Sequence, residues 1–242
     1  MVKQLRNKLH SQIDSNFNPR QFFKPYTIAS CEKFICVRMP YIRNIAKEFR
    51  SITVAQHREI LEQLLQSEIN EERMLALLLL VQDYKKNPDI VYEFYIKNID
   101  VISNWNLVDA SAHLIIGAHY MKAEDKLQKE VISTILSLAN SKNFWHRRIA
   151  MVSMWLPIRE AASVESCASK VQNDKHELAL QLAKMLMNDE QELVCKAVGW
   201  MVREMEKAVM LDFLNAHYKQ MARITLRNIL EALPKEKWRE YL

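Results

Sequence analysis

The sequence predicts an all-α protein, and three observations carry that prediction. Only two glycines, Gly117 and Gly199, and six prolines occur in 242 residues, so the chain has almost none of the turn chemistry that β-hairpins and Gly-rich loops require. Leu, Ala, Glu, Lys and twelve methionines dominate instead, and these are good helix formers. Finally, apolar residues recur at helical spacing, with polar breaks of two to six residues between segments, as in antiparallel helical hairpins.

Several segments carry start signals of their own. The spacing predicts helices near 1–14, 40–50, 54–67, 71–86, 88–98, 105–120, 124–139, 144–156, 174–188, 190–206, 207–217 and 219–232. The stretch 157–173 reads as a short helix plus a loop. Pro40 and Pro88 sit where a first helical turn tolerates proline. Asn70, Asn104 and Asn143 stand as N-caps before apolar-periodic runs. No interdomain linker is visible, so residues 1–242 read as one domain.

Several function classes fall away cheaply. The longest apolar run, Met74 to Val81, is far too short for a bilayer, and the charged N-terminus has no signal-peptide core. The expectation is a monomeric cytoplasmic protein with no membrane association. Cys31, Cys36, Cys167 and Cys195 show no metal spacing and read as reduced, mostly buried thiols. There is no P-loop, dinucleotide fingerprint, nucleophile elbow or H-E-x-x-H. His113 and His119 are six residues apart, on different helix faces. No metal and no cofactor is the default.

The net charge of +5 is unevenly spread. Through Arg58 there are eleven basic and three acidic residues, an excess of eight, so the remainder is net negative by three. A basic end suits a polyanion, and equally a solvated face.

A weak period appears at 39 residues: Asp109 lies five residues after Asn104, and Arg148 five after Asn143. A period near 40, one helical pair each, is that of HEAT-like arrays, which bind on a concave face. Three segments carry candidate chemistry. In Ser103–Asp109, Trp105 and Asp109 share a helix face at i, i+4. Phe144–Arg148 places Arg147 and Arg148 one turn into a helix. In Lys196–Glu204, the residues Lys196, Trp200 and Arg203, with Lys207 beyond, make a cationic stripe around an indole, while Gly199 permits close approach. Taken singly, each has an ordinary structural reading. Trp105, Trp145 and Trp200 could be core aromatics, Asp109 a carboxylate favoured by the helix dipole, and the arginines solvated or paired with Glu204 and Glu206.

Together, and in this order, Asn104–Ala112, Trp145–Ala150 and Lys196–Glu204 resemble the signature segments of the AlkD-type DNA alkylation-repair glycosylases. Phe34–Pro40 with Arg43–Lys47, Glu72–Leu77, Leu226–Glu231 and Trp238–Leu242 extend the resemblance to roughly 20–242. Cys36 stands where relatives usually have glycine, and the segment before Leu226 is less typical. These departures bear on N-terminal DNA contacts more than on the catalytic centre.

The resemblance implies a HEAT-like α-α superhelix with a concave DNA-binding face. It further implies hydrolytic excision of cationic alkylated bases, such as 7-methylguanine and 3-methyladenine, from duplex DNA without base flipping. Asp109 would be the catalytic carboxylate, Trp105 and Trp200 the indoles flanking the sugar, and Arg148 the holder of the lesion-side phosphate. Arg203, Arg147 and Lys196 would be further backbone contacts. Some branches of the family bind DNA without excising bases, so the alternative is a non-catalytic protein binding bent or branched DNA.

Overall fold

The structure, a computed structural model, describes residues 1–23, 32–163 and 169–242, with residue 125 and the described part of 162–175 as backbone only. Cys31, Cys167 and part of the 157–173 stretch therefore lie outside the described residues. Among those described, every regular element is helical; chain pairing is limited to isolated bridges between Ile13 and Val37 and between Lys33 and Ile69. The chain divides into two units, Met1–Ser111 and Ala112–Leu242.

The first unit contains α1 (Val2–His10), α2 (Met39–Glu48), α3 (Val54–Leu65), α4 (Asn70–Tyr84), α5 (Pro88–Lys97) and most of α6 (Trp105–Ala112). The run Met74–Leu80 explains its centre. A helix apolar on nearly all sides must be enclosed, and α4 is packed by α1, α2, α3 and α5. Its last turn also supplies a cap: Asp83 Oδ2 accepts the Val54 N–H at 2.8 Å, closing the start of α3, one of the four donors a helix N-terminus leaves open.

The second unit contains α7 (Ala118–Lys122), α8 (Asp125–Ala139), α9 (Phe144–Val152), α10 (Trp155–Ser163), α11 (Ser169–Leu186), α12 (Glu192–Arg203), α13 (Lys207–His217) and α14 (Arg223–Leu230). Here α9 packs on α12 and α12 on α14, a stack of helices from successive hairpins, as repeat architectures build their cores.

Two boundaries differ from expectation for identifiable reasons. The 105–120 helix is interrupted by a π-helical turn, His113–Gly117. That turn ends where Gly117 meets another backbone: a Cβ there would lie 2.2 Å from the Ser153 carbonyl oxygen. The 144–156 helix stops at Val152 and α10 starts at Trp155. Pro157 forces this break, since a proline inside a continuous helix clashes with the carbonyl four residues back, here Ser153. Its position near the start of α10 is one that a helix tolerates. The expected helix 1–14 stops at His10.

The caps are mixed. Asn143 does cap α9, its side chain accepting the Trp145 N–H at 3.0 Å. Asn70 does not cap; Ile69 occupies that position and Asn70 is the first residue of α4. Of the cysteines, Cys195 is buried and Cys36 partly exposed, both as free thiols.

Candidate functional site

In the first unit, α6 presents Trp105, Asn106, Asp109 and Ala110 to a pocket of about 390 Å³. Facing them across it are Asn70, Glu71 and Met74 of α4 and Met39, Ile42 and Arg43 of α2, with Phe17, Pro19, Phe22, Phe23, Phe34 and Val37 completing the wall. The predicted pairing of Trp105 with Asp109 is thus realised on one face of one helix. Leu107, Val108 and Ala112 point into the core, fully buried.

The pocket is rich in π faces. The Trp105 ring packs 5.2 Å from Phe23, which lies 4.9 Å from Phe34. The Arg20 guanidinium sits 5.8 Å above Phe34, and Arg38 lies 4.6 Å from the centre of Phe17. Cations over aromatic faces gain from the ring quadrupole, and here the protein's own arginines take two of those faces. Asp109 is partly buried at this surface.

The wall opposite α6 is built by a second carboxylate. Glu71 is buried, and both its oxygens accept the Ile35 N–H at 3.1 Å while Oε1 accepts the Val37 N–H at 3.3 Å. Burial pushes its pKa up, and the backbone donors oppose that push without cancelling it. The residue between those two donors is Cys36, at φ 63°, the left-handed region that glycine enters freely and other residues enter at a cost. The oddity noted at this position therefore has a backbone reason: a loop folded round a carboxylate by turning successive N–H groups inward needs one such residue.

In the second unit, the expected DNA-contacting residues lie on α9 and α12. Trp200 is partly exposed on α12. Lys196 pairs with Glu192 one turn earlier at 2.5 Å, and Arg203 pairs with Glu231 beyond α14 and approaches the Asn228 carbonyl at 3.5 Å. Arg203 thus pairs across to another helix rather than with Glu204, whose partner is Arg159 at 3.3 Å. Lys207 opens α13 and does not continue the α12 stripe. Gly199 does permit close approach, and α14 is what approaches: a Cβ there would lie 2.3 Å from the Asn228 Cβ.

The two arginines of α9 are held inside the unit. Arg147 forms a two-point pair with Asp189 at 2.6 and 2.9 Å and donates to the Ser141 and Lys142 carbonyls at 2.8 and 3.1 Å. Such a fork ties the start of α9 to the turn before α12. Arg148 is only 5% exposed, and its Nη1 donates to the Leu193 carbonyl. Trp145 is buried against Phe144 at 4.5 Å, which is the core reading of that indole.

Sequence reasoning missed the polar groups beneath α6. The buried Glu32 carboxylate accepts from Asn70 at 2.7 Å, from Asn104 at 2.5 Å and from the Arg73 guanidinium. Its partners are 38 to 72 residues away, so no local pattern could have exposed it. Among the described residues there is no group of three His, Cys, Asp or Glu side chains placed to hold a metal ion, and no helix long and apolar enough to cross a membrane.

A family model described as DNA alkylation repair enzyme matches residues 8–233. No curated protein sequence matches the chain. Among solved structures, a predicted DNA alkylation repair enzyme from Enterococcus faecalis shares the fold, with a TM-score of 0.65 over 92% of this chain and 99% of that one, at 17% identity.

Proposed function

The chain belongs to the DNA alkylation repair enzyme family, and on that premise we propose that it is a monofunctional glycosylase that hydrolyses the bond between deoxyribose and a cationic alkylated purine in duplex DNA. The observation that carries the reading is the common face of Trp105 and Asp109 on the pocket of the first unit.

The chemistry asks for little else. Alkylation at N7 of guanine or N3 of adenine makes the base a formally cationic leaving group, so no strong general acid is needed. Positive charge grows on the deoxyribose as the glycosidic bond stretches, as in glycoside cleavage. A carboxylate beside C1′ opposes that charge and orients the attacking water. Asp109 is assigned that role. The indole face of Trp105 favours the same developing cation.

Trp200 and Arg148 belong to the second unit, and their assignment to the sugar and the lesion-side phosphate rests on the resemblance of their segments. Arg203 and Lys196 are further candidates for backbone contacts, each now holding a carboxylate that a phosphate would have to displace. Arg147 already spends its fork on Asp189, which makes it the weakest of these candidates. None of the assigned groups addresses a base edge. Selectivity on this reading comes from the lability of the cationic glycosidic bond, with the lesion left unflipped.

The test is single-turnover excision from one duplex context carrying 7-methylguanine, a larger cationic N7 adduct, or uracil. Release of both cationic bases, unaffected by chelator, and retention of uracil are expected. Binding without release of any base would favour the non-catalytic reading. Removal of uracil, or exclusion of the larger adduct, would instead mean that the base enters an enclosing pocket, and the 390 Å³ cavity beside Asp109 would be the place to look for it.

A further inference from the structure

We propose that Glu32 is a positioning residue for the candidate site, acting through two asparagine amides to set the first turn of α6, which carries Trp105 and leads to Asp109. The proposal rests on the functional reading above and adds to it the group that holds its carboxylate and indole in place.

The starting observation is a cost. A carboxylate removed from water carries a penalty of several kcal/mol unless it is paired and hydrogen-bonded, and apolar residues of similar volume would fill the same space as well. Glu32 is buried, and so are Asn70, Arg73 and Asn104, which surround it. What a carboxylate supplies and an apolar plug cannot is direction. An ionised carboxylate only accepts, so each amide beside it must turn its NH2 toward it and its oxygen away.

For Asn104 this order has a definite consequence. Nδ2 donates to Glu32 at 2.5 Å, which leaves Oδ1 to accept the Trp105 N–H at 2.8 Å. The Asn104 backbone carbonyl accepts the Val108 N–H at 3.1 Å, the first intrahelical bond of α6. With the amide reversed, two donors would confront each other at the helix start. Asn70 repeats the logic. Its Nδ2 donates to Glu32 at 2.7 Å, and its Oδ1 accepts from Asn106 Nδ2 at 2.7 Å, so a second residue of the same turn, one that lines the pocket, is oriented by the same charge. Arg73 completes the frame, pairing with Glu32 while its Nη1 holds the Val101 carbonyl and the Ser103 hydroxyl at 3.0 Å, just ahead of α6.

One carboxylate thereby fixes the amide orientations on which Trp105 and Asn106 depend, and Asp109 follows Trp105 by one turn on the same face. Displacing a catalytic group by about 1 Å costs on the order of 100-fold in rate. Helix placement at that precision is the function assigned to Glu32.

The experiment uses Asn104→Ser, which keeps a capping oxygen but severs the link to Glu32, together with Glu32→Gln, each checked by circular dichroism to be folded at the assay temperature. Three quantities are read: single-turnover excision of 7-methylguanine, affinity for undamaged duplex, and hydrogen exchange of the Trp105–Asp109 amides. Both variants are expected to lose roughly 10- to 100-fold in excision rate, to bind undamaged duplex as wild type does, and to exchange the α6 amides faster. In an Asp109→Asn background, Asn104→Ser should add less than about threefold, because the two act through one group. An equal loss in both backgrounds, a parallel loss of duplex affinity, or unchanged α6 exchange would overturn the positioning role. If wild type releases no base, the functional reading has failed, and the exchange measurement by itself still decides whether Glu32 holds this turn.

Discussion

Helices α6 and α12 carry the same kind of pattern, a partly exposed indole with a charged residue three or four positions away, and the two are supported in opposite ways. Beneath α6 lies a buried polar frame in which one carboxylate dictates the direction of two amides. Beneath α12 lies a helix contact so close that Gly199 leaves no room for a methyl group against Asn228 and the Thr225 carbonyl. A polar frame fixes orientation, because each hydrogen bond has a preferred geometry. Close packing fixes distance. On the proposed reading, a carboxylate that must be placed to a fraction of an ångström calls for the first kind of support, while a surface meeting an extended polyanion is served by the second.

The largest expected effect sharpens the α6 side. Asp109→Asn preserves shape and removes the charge, so single-turnover excision should fall by roughly 100- to 1,000-fold, or about 2.7–4 kcal/mol, with most DNA binding retained. A rate within threefold of wild type would take Asp109 out of the catalytic role.

Next comes the α12 side. Gly199→Ala places a methyl group 2.3 Å from the Asn228 Cβ and 3.0 Å from the Thr225 carbonyl oxygen, so α14 must move. Overpacking of this kind typically costs about 1–3 kcal/mol, read as a lower denaturation midpoint. The same variant should leave the α6 amides exchanging as in wild type if the two supports are independent. Faster exchange at α6 would collapse the comparison.

Arg148 tests which kind of residue α9 supplies. Its guanidinium is buried on the Leu193 carbonyl, so Arg148→Ala should lower the denaturation midpoint. If it also contacts a phosphate, the slope of log K against log salt should flatten by about 0.9, equally on damaged and undamaged duplex. A lower midpoint with an unchanged slope would make Arg148 a clamp between α9 and α12 and nothing more.

The smallest effect concerns the loop that closes the pocket on Glu71. Cys36 holds φ 63°, a conformation costing a non-glycine residue about 1–2 kcal/mol, part of which glycine returns as chain entropy. Cys36→Gly should therefore stabilise the protein by up to about 1 kcal/mol in chemical denaturation. Destabilisation would mean that the Cys36 side chain contributes more than its backbone costs.

Much of this was legible in the sequence because it depends on neighbours along the chain. The scarcity of glycine and the helical spacing of apolar residues determined an all-α protein, and the i, i+4 spacing of Trp105 and Asp109 put both on one face. The resemblance of three short segments pointed to the family that the match over residues 8–233 shows. Even the cap at Asn143 could be read, since the N–H it accepts is only two residues away.

The tertiary structure decided what depends on distant partners. Asn70 had every local sign of a cap, yet Glu32, 38 residues earlier, claims its amide. Arg147 and Arg148 looked alike in sequence, yet Asp189, 42 residues on, occupies one and the Leu193 carbonyl, 45 residues on, the other. Gly199 could be read as a point of close approach, but not as the seat of α14. Local spacing fixes which face of a helix a side chain occupies, because helical geometry repeats every 3.6 residues. What that face meets is set by packing between segments far apart in the chain, and there a buried charge takes whichever donors the fold brings to it.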